Sequence, residues 1–297
     1  MGNIQQAGTL YLVSTPIGNL EDMTFRAIRI LKEADWIAAE DTRQTKKLLT
    51  HFEIEGPRLV SYHEHNKMAS GPELIKFMLE GQQVALVSDA GMPAISDPGA
   101  DLVALAIEAG ISVIPVPGAN AALSALIISG LPTDSFLFLG FPPREKKKLR
   151  ELFDKWKGCD ATMIFYESPH RIEATMQTVG EAWGMQRKAA LVRELTKRYE
   201  EAIRGTVEQI LGHLEQHPPK GEFVLVLEGA SEEERAQAEG EQWWASLSIE
   251  EHVAHYERET GNSKEAIKLT AGDRKLPKRE VYQIVHTDEN KKRSRDV

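Results

Sequence analysis

The chain has 297 residues, 41% apolar and 27% charged, with a formal net charge of −9; this is the composition of a soluble globular protein with room for about two domains. The excess of acid excludes a protein that coats nucleic acid through bulk charge, and a single cysteine, Cys159, excludes an internal disulfide and fits a reducing compartment. The longest apolar stretch, Ala121–Leu131, is too short to span a membrane and is broken by Ser124, Ser129 and Gly130. The N-terminus lacks the basic start and apolar run of a secretory signal, and position 6 is Gln where a myristoylation motif wants Ser or Thr. A cytoplasmic protein with no membrane partner is the expectation.

Up to Leu131 the chain alternates strand-like and helix-like segments, the pattern of βαβ units around a parallel sheet. Strands are predicted at Thr9–Ser14, Trp36–Glu40, Arg58–Ser61, Gln83–Ser88 and Ser112–Val116. Thr24 caps a first helix with Phe25, Ile28 and Ile30 or Leu31 on its apolar side. Helices follow at Thr42–Phe52, Pro72–Leu79 (ended by Gly81), Pro98–Ala109 (Pro in the first turn, Gly110 at the stop) and the Ala-rich Gly118–Ile128. Leu131-Pro132-Thr133-Asp134 reads as a linker.

A second alternation places strands at Phe136–Gly140, Met163–Tyr166, Ala189–Glu194, Glu200–Arg204 and Phe223–Leu227, with helices at Lys146–Trp156, Arg171–Trp183 and Val207–Glu215. The expected organisation is an α/β domain over residues 1–131, a second over 132–230, an acidic linker at 231–245, a helix-turn-helix-like extension at 246–288 and a disordered tail at 289–297. In the extension, Ser248-Ile249-Glu250-Glu251 is a capping box, Gly261 punctuates, Asn262 or Ser263 caps Lys264–Ala271, and Pro277 opens Lys278–Val285. Tyr282 is expected in the core of this helical unit.

Several chemistries lack their signatures. No phosphate-binding Gly-rich loop, Gly-x-Gly-x-x-Gly or Gly-x-Ser-x-Gly is present, and no Cys/His cluster has metal spacing. His63-Glu64-His65 would alternate faces if extended, which is poor chelate geometry. What remains is a set of strand-end loops: Thr15–Asp22, Glu40–Arg43, Tyr62–Asn66, Asp89–Pro98 and Pro117–Asn120. All gather at the carboxyl edge of one parallel sheet, where α/β proteins bind ligands. Tyr166–Arg171, Arg193–Lys197 and Lys220–Glu222 add to them from the second domain, so a cleft between the domains is the natural site.

Five of these segments carry a resemblance. Ser-Thr-Pro-Ile-Gly-Asn-Leu-Glu-Asp (14–22), Ala-Glu-Asp-Thr-Arg (39–43), Ser-Asp-Ala-Gly-Met-Pro-Ala-Ile-Ser-Asp-Pro-Gly (88–99), Val-Pro-Gly-Ala-Asn-Ala (116–121) and Glu-Ser-Pro-His-Arg (167–171) occur in order. Together they resemble the ribosomal RNA small subunit methyltransferase I family, of the tetrapyrrole methylase-like class that uses S-adenosylmethionine. The similarity spans about Leu10 to Gly229, and the helical tail is similar to the family's C-terminal extension. It implies a parallel N-terminal sheet, a mixed C-terminal sheet, a homodimer, and methylation of the ribose 2′-oxygen of a decoding-region cytidine in 16S rRNA or the assembled small subunit. The first loop departs from the Gly-Pro-Gly-Asp-Pro-like loop of tetrapyrrole methylases proper, which favours the rRNA branch. A methylase of a small tetrapyrrole-like substrate and a non-catalytic ribosome-binding module are the competing readings.

By this resemblance Thr15, Pro16 and Ile17 line one wall of the cofactor site and Asp89, Ala90, Gly91 and Ile95 another. Ala119, Asn120 and Ala121 open a helix beside it, and from the second domain Tyr166 and Glu167 close over the cofactor while Leu195 packs against its adenine. The plainer readings are a tight turn for Gly91, a helix cap for Asn120 and core for Leu195. A ribose hydroxyl needs a base or a cation to take or stabilise its charge. Glu40, Asp41, Arg43, His63, Glu64 and Glu167 are the candidates, with Glu167 or Glu64 favoured for proton removal and Arg43 for positioning phosphate. Arg43 could equally pair with Asp41 or Glu40. Two basic stretches, Arg144–Lys157 and the tail (ten Lys or Arg against six Asp or Glu over 262–297), offer Arg144, Lys146, Lys147, Lys148, Lys275, Lys278 and Arg279 as phosphate contacts; solvated helix faces are the plainer reading.

Overall fold

A computed structural model describes residues 7–235, 244 and 247–293. The chain divides into two compact units at Ala230–Ser231. The first holds two five-stranded sheets. Strands β1 (Thr9–Val13), β2 (Trp36–Ala39), β3 (Arg58–Ser61), β4 (Val84–Val87) and β5 (Ser112–Val116) form an all-parallel sheet in the order β3-β2-β4-β1-β5. Helices α1 (Phe25–Glu33) and α2 (Thr42–His51) share one apolar layer with Ile37, Val87 and Val116; α3 (Lys67–Leu79) and α4 (Gly99–Glu108) share the other with Leu10, Ala38 and Leu86. A strand covered on both faces must be apolar throughout, which is why β4 reads Val-Ala-Leu-Val and is wholly buried.

Three local expectations are corrected. Thr24 does cap α1, its Oγ1 accepting from Ala27 N at 3.1 Å, but the buried stripe is Ala27, Ile30 and Leu31, and Phe25 is 94% exposed. Phe25 is the first residue of the helix, a position that projects beyond the sheet. Helix α3 begins at Lys67, a turn and a half before Pro72. Asn66 pins its start, Oδ1 accepting from His63 N at 2.8 Å and Nδ2 donating to Ser61 O at 2.9 Å. Pro72 therefore forfeits one backbone hydrogen bond inside the helix, a loss the burial of Gly71, Leu74 and Met78 offsets. Pro98 stands at the cap of α4 rather than within its first turn.

Helix α5 (Ala121–Ser129) follows β5 in sequence but packs on the second sheet. That sheet contains β6 (Phe136–Gly140), β7 (Thr162–Glu167), β8 (Lys188–Arg193), β9 (Glu201–Thr206) and β10 (Phe223–Leu227) in the order β6-β7-β10-β8-β9. Strands β6, β7 and β8 run one way, β9 and β10 the other. One face meets α6 (Lys146–Trp156), α7 (Ile172–Trp183) and α8 (Val207–Gln216) around Phe153, Phe165, Trp183 and Leu225. The opposite face takes Ala122, Ala125 and Leu126 of α5 against Ile164, Ala190, Val192 and Val226. Small side chains let α5 lie close to the strands. The sequence division after residue 131 thus cuts the chain behind a helix whose packing belongs to the second sheet.

The second unit contains α9 (Ile249–Thr260), α10 (Ser263–Asp273) and α11 (Lys278–Arg293). Ser248 and Glu251 cap α9 reciprocally, Gly261 ends it at φ 64°, and Asn262 caps α10. Val253, Ala266, Ile267, Ala271 and Val281 form the core. Tyr282 does not join it and is 54% exposed: the inward positions of α11 are Val281 and Val285, and the next residue turns about 100° away. A buried polar core replaces it. Asp273 Oδ2 accepts from Tyr256 OH at 2.7 Å and faces His252 Nε2 at 3.1 Å, while Arg274 Nε donates to His252 Nδ1 at 3.1 Å. Helix α11 continues past Glu289, where the sequence places the start of a disordered tail. Residues 236–243, 245 and 246 of the expected acidic linker, and 294–297 of the tail, lie outside the described residues.

Candidate functional site

Within the first unit, the carboxyl ends of β1, β2 and β4 face those of β6, β7 and β8, and a cavity of about 630 Å³ lies between them. Two first-sheet loops are stitched together there: Thr15 N donates to Gly91 O at 2.9 Å, Gly91 N to Thr15 O at 3.1 Å, and Thr15 Oγ1 to Ser88 O at 3.2 Å. Gly91 has φ 79°, and a Cβ there would come within 3.3 Å of Ile17 Cγ2 and 3.6 Å of the Ala119 carbonyl. Backbone approach and a left-handed conformation both require glycine.

Most of the cofactor residues expected from the sequence come together. Ile17, Asp89, Ala90, Gly91 and Ile95 line the cavity from the first sheet's loops, and Asn120, Ala121, Tyr166 and Leu195 line it from α5 and the second sheet. Thr15 and Pro16 instead line an adjoining hollow of about 360 Å³, and Ala119 contributes its carbonyl behind Gly91. Asn120 holds both roles, its Oδ1 capping α5 through Leu123 N at 2.9 Å while it borders the cavity. Tyr166 is steadied by edge contacts with Phe138 and Phe141, at ring separations of 5.0 and 5.6 Å.

Ile95 and Leu195 are presented alike. Ile95 stands between Ala94 (φ 68°) and Ser96 (φ 62°), and Leu195 between Glu194 (φ 47°) and Thr196 (φ 66°). Non-glycine residues in this region cost of order 1–3 kcal/mol each, and their pairing on opposite sides of one cavity marks a site held against strain. Asp97 holds the first loop, Oδ1 accepting from Ala94 N at 3.0 Å and Gly99 N at 2.7 Å, while its buried Oδ2 has no partner. Lys197 holds the second, its Nζ lying 3.0 Å from Glu194 and 2.8 Å from Glu222. The Lys197 stem lies over Gly18, where a Cβ would come within 2.5 Å of it. Hydrogen bonding from the Glu222 N–H, then Lys197, holds the Glu194 carboxyl below its ordinary range.

The cavity is acidic. Glu40, Asp89, Asp97, Glu167 and Glu222 line it, and Lys197, already shared by two carboxylates, is the sole basic side chain among the described lining residues. Burial, then the proximity of Asp89 and Asp97, pushes the Glu40 carboxyl up; burial does the same to Asp97. These features suit a ligand that is cationic and partly apolar, with Gly91 as a backbone contact and Ile17, Ile95 and Leu195 as apolar ones.

The three catalytic candidates are placed differently. Glu167 is 3% exposed. Its Oε1 accepts from Ser168 N at 2.8 Å, and its Oε2 accepts from Thr175 Oγ1 at 2.8 Å and lies 3.4 Å from Arg171. It is thus held by α7 and Arg171 while still bordering the 630 Å³ cavity beside Tyr166. Glu64 lies in the loop before α3, mostly exposed and 2.8 Å from Lys67, outside the residues lining either cavity. Arg43 is bound bidentately to Asp41, Nε to Oδ1 at 3.0 Å and Nη2 to Oδ2 at 2.7 Å, with its side chain 87% exposed. That guanidinium brings the Asp41 carboxyl down to about 2. Arg144, Lys146, Lys147 and Lys148 stand exposed around the start of α6, and Lys275, Lys278 and Arg279 stand exposed in the helical unit. Ser96, Asp97 and Lys197 lie in loops the sequence placed at the site but were not singled out there, and Phe141 was not named. An Asp before Pro-Gly at a helix start was the available signal for Asp97.

Two facing α/β sheets with a cavity at their strand ends define a class, and residues 9–211 match the family model described as Tetrapyrrole (Corrin/Porphyrin) Methylases. Ribosomal RNA small subunit methyltransferase I of Halalkalibacterium halodurans is 58% identical, covering 95% of this chain and 96% of the relative. Its namesake from Bacillus subtilis is 54% identical, covering 94% of each. Uroporphyrin-III-C-methyltransferase from Thermus thermophilus, at 23% identity, shares the fold with a TM-score of 0.51 over 74% of this chain and 94% of that one. The chain belongs to the tetrapyrrole methylase family and, within it, to the ribosomal RNA small subunit methyltransferase I family. It is a methyltransferase.

Proposed function

We propose that the protein transfers the methyl group of S-adenosylmethionine to the ribose 2′-hydroxyl of a cytidine in the decoding region of 16S rRNA, within the cytoplasm and as a homodimer. The observation that carries this reading is the acidic, two-sided cavity, whose charge complements a sulfonium and whose one basic lining side chain, Lys197, is already paired with two carboxylates. The two curated relatives carry a ribosomal RNA name over nearly their full length. Bound there, the donor supplies an activated methyl on a positively charged sulfur.

The residues do the rest. Gly91 and Asn120 hold the donor by its polar edges, Ile17, Ile95 and Leu195 by its apolar ones, and Tyr166 covers it. Most of the acceleration comes from alignment. The acceptor proton goes to Glu40, whose raised carboxyl is better matched to that task than an ordinary glutamate. Glu167 fits a positioning role: it fastens the strand carrying Tyr166 to α7 through Thr175 and Arg171.

Calorimetry with S-adenosylmethionine, then methyl transfer onto purified small subunits and onto naked 16S rRNA with mapping of alkali-resistant linkages, tests the reading. Donor binding and one resistant cytidine linkage are expected; transfer to a tetrapyrrole but not to either RNA substrate would replace it. Light scattering at twice the 33.2 kDa chain mass tests the homodimer.

A further inference from the structure

The basic stretch at the start of α6, Arg144 and Lys146–Lys148, lines neither cavity. Helix α2 reads Thr-Arg-Gln-Thr-Lys-Lys-Leu-Leu-Thr-His: it contains Arg43, Lys46, Lys47 and His51 and no acidic residue. Its companions on the first sheet differ, since α1 holds Glu33, α3 holds Glu73, and α4 holds Asp101 and Glu108. Lys46 and Lys47 are exposed, and neither pairs with a carboxylate. Lys47 Nζ reaches Gln44 Oε1 at 3.3 Å. Around α6, by contrast, Lys148 meets Glu145 at 3.0 Å and Arg150 meets Asp154 at 3.0 Å.

This face borders a ready-made hollow. Gln44, Lys47, Leu48 and His51, spaced to share one side of α2, form one wall of the 360 Å³ hollow, and Thr15, Pro16, Gly18 and Leu20 form the other. The volume is that of a site for one small organic group, at the lower end of the roughly 300–1,000 Å³ range. Ser88 and Asp89 line both this hollow and the larger cavity, so the two spaces share a wall. One is acidic and suits a cation. The other has Lys47, which no carboxylate pairs with, in its wall and suits an anion.

We propose that α2 is the docking face for single-stranded acceptor RNA, with Lys46 and Lys47 on its phosphates and the acceptor nucleotide turned into the hollow between α2 and the Thr15–Leu20 loop. A base lifted out of its stack needs such a recess beside the reacting centre; Lys47 in its wall and Lys46, exposed on the solvent side of the same helix, supply the phosphate attraction. The inference rests on the RNA reading above and locates where that substrate enters.

The test uses the full chain and a fluorescein-labelled, cytidine-containing single-stranded RNA, read by anisotropy, with S-adenosylmethionine calorimetry alongside. K46E/K47E is expected to weaken RNA binding at least tenfold and to reduce the salt slope by about 1.4, the value for two lost contacts to a single strand. K32E/K76E, an equal charge change on α1 and α3, is expected to stay within twofold. Gln44→Trp, which fills the hollow, is expected to raise the acceptor KM about tenfold with donor affinity unchanged. Equal losses in the two charge variants would reduce the effect to bulk charge and overturn the assignment, as would an unchanged acceptor KM in both K46E/K47E and Gln44→Trp. A wild-type chain that binds donor but methylates no RNA would sink the underlying reading instead.

Discussion

Two glutamates stand just beyond or at the ends of neighbouring-edge strands, one in each sheet, and they fare oppositely. Glu40, after β2, opens into the acidic cavity among Asp89 and Asp97, and its carboxyl is pushed up. Glu167, at the end of β7, turns into the helix layer and is consumed by Ser168, Thr175 and Arg171. The two sheets reach the same cavity by different means. In the first, every strand is parallel, so all its carboxyl-end loops arrive at one edge. In the second, β6, β7 and β8 supply carboxyl ends while β10 enters there with its amino end, bringing Glu222 and Phe223. Both glutamates border the cavity; they differ in that the Glu167 carboxylate is already held by three groups of its own sheet and helix layer.

The sharpest break of this comparison is Glu40→Gln. It is expected to lower kcat by about 10²–10⁴ with donor affinity kept within a few-fold. In the wild-type enzyme, kcat should fall on the acid side as the raised Glu40 carboxyl takes up a proton, and at a higher pH than an ordinary glutamate would produce; stopped-time transfer assays across pH read both effects. Wild-type turnover in Glu40→Gln would remove it as the base. Glu167→Ala probes the other member. It strands the Thr175 hydroxyl, leaving Arg171 on the Pro142 and Pro143 carbonyls, and is expected to cost about 1–3 kcal/mol of stability in denaturant unfolding, with folded enzyme still turning over. A hundredfold loss of kcat at unchanged stability would reverse the two assignments.

Gly91→Val asks whether the first sheet's loop carries the donor. Side-chain strain at φ 79° amounts to about 1–2 kcal/mol, so calorimetry should show donor Kd raised roughly tenfold or more; equal affinity would mean the Thr15–Gly91 stitch is not part of the site. The smallest effect lies in the helical unit. Burial lowers the proton affinity of His252 below the ordinary 6.5, with Asp273 opposing and Arg274 assisting. The unfolded chain therefore takes the proton first, and this contribution to stability is complete above about 6.5 and declines as pH falls through that value toward the folded one. Unfolding followed by helix circular dichroism from pH 7.5 to 5 should show that decline, and His252→Phe should flatten it.

Much of this molecule was legible in order along the chain. Caps at Thr24, Asn120, Ser248 and Asn262 announced their helices because a short polar side chain satisfying the first-turn N–H groups is a local interaction. The loops around Thr15, Asp89 and Asn120 were legible because small residues at strand ends have few other uses. Glu64 and Arg43 drew attention by residue type, yet one pairs with Lys67 and the other with Asp41, contacts that satisfy their charge away from the cavity lining. Phe25 and Tyr282 were misplaced because an apolar residue's neighbours depend on where its helix begins and which side meets a partner.

What the sequence determined by itself, then, is what arises between residues a few positions apart: strand and helix periods, caps, turn glycines, and the strand-end motifs of a methylase family. Tertiary structure alone decided which carboxylates line the cavity and what else holds them, that α5 serves the second sheet, and that α2 walls the hollow adjoining that cavity. The reason is that each of these depends on surfaces brought together from distant parts of the chain, and charge or hydrophobicity acquires its role only from what it is placed against.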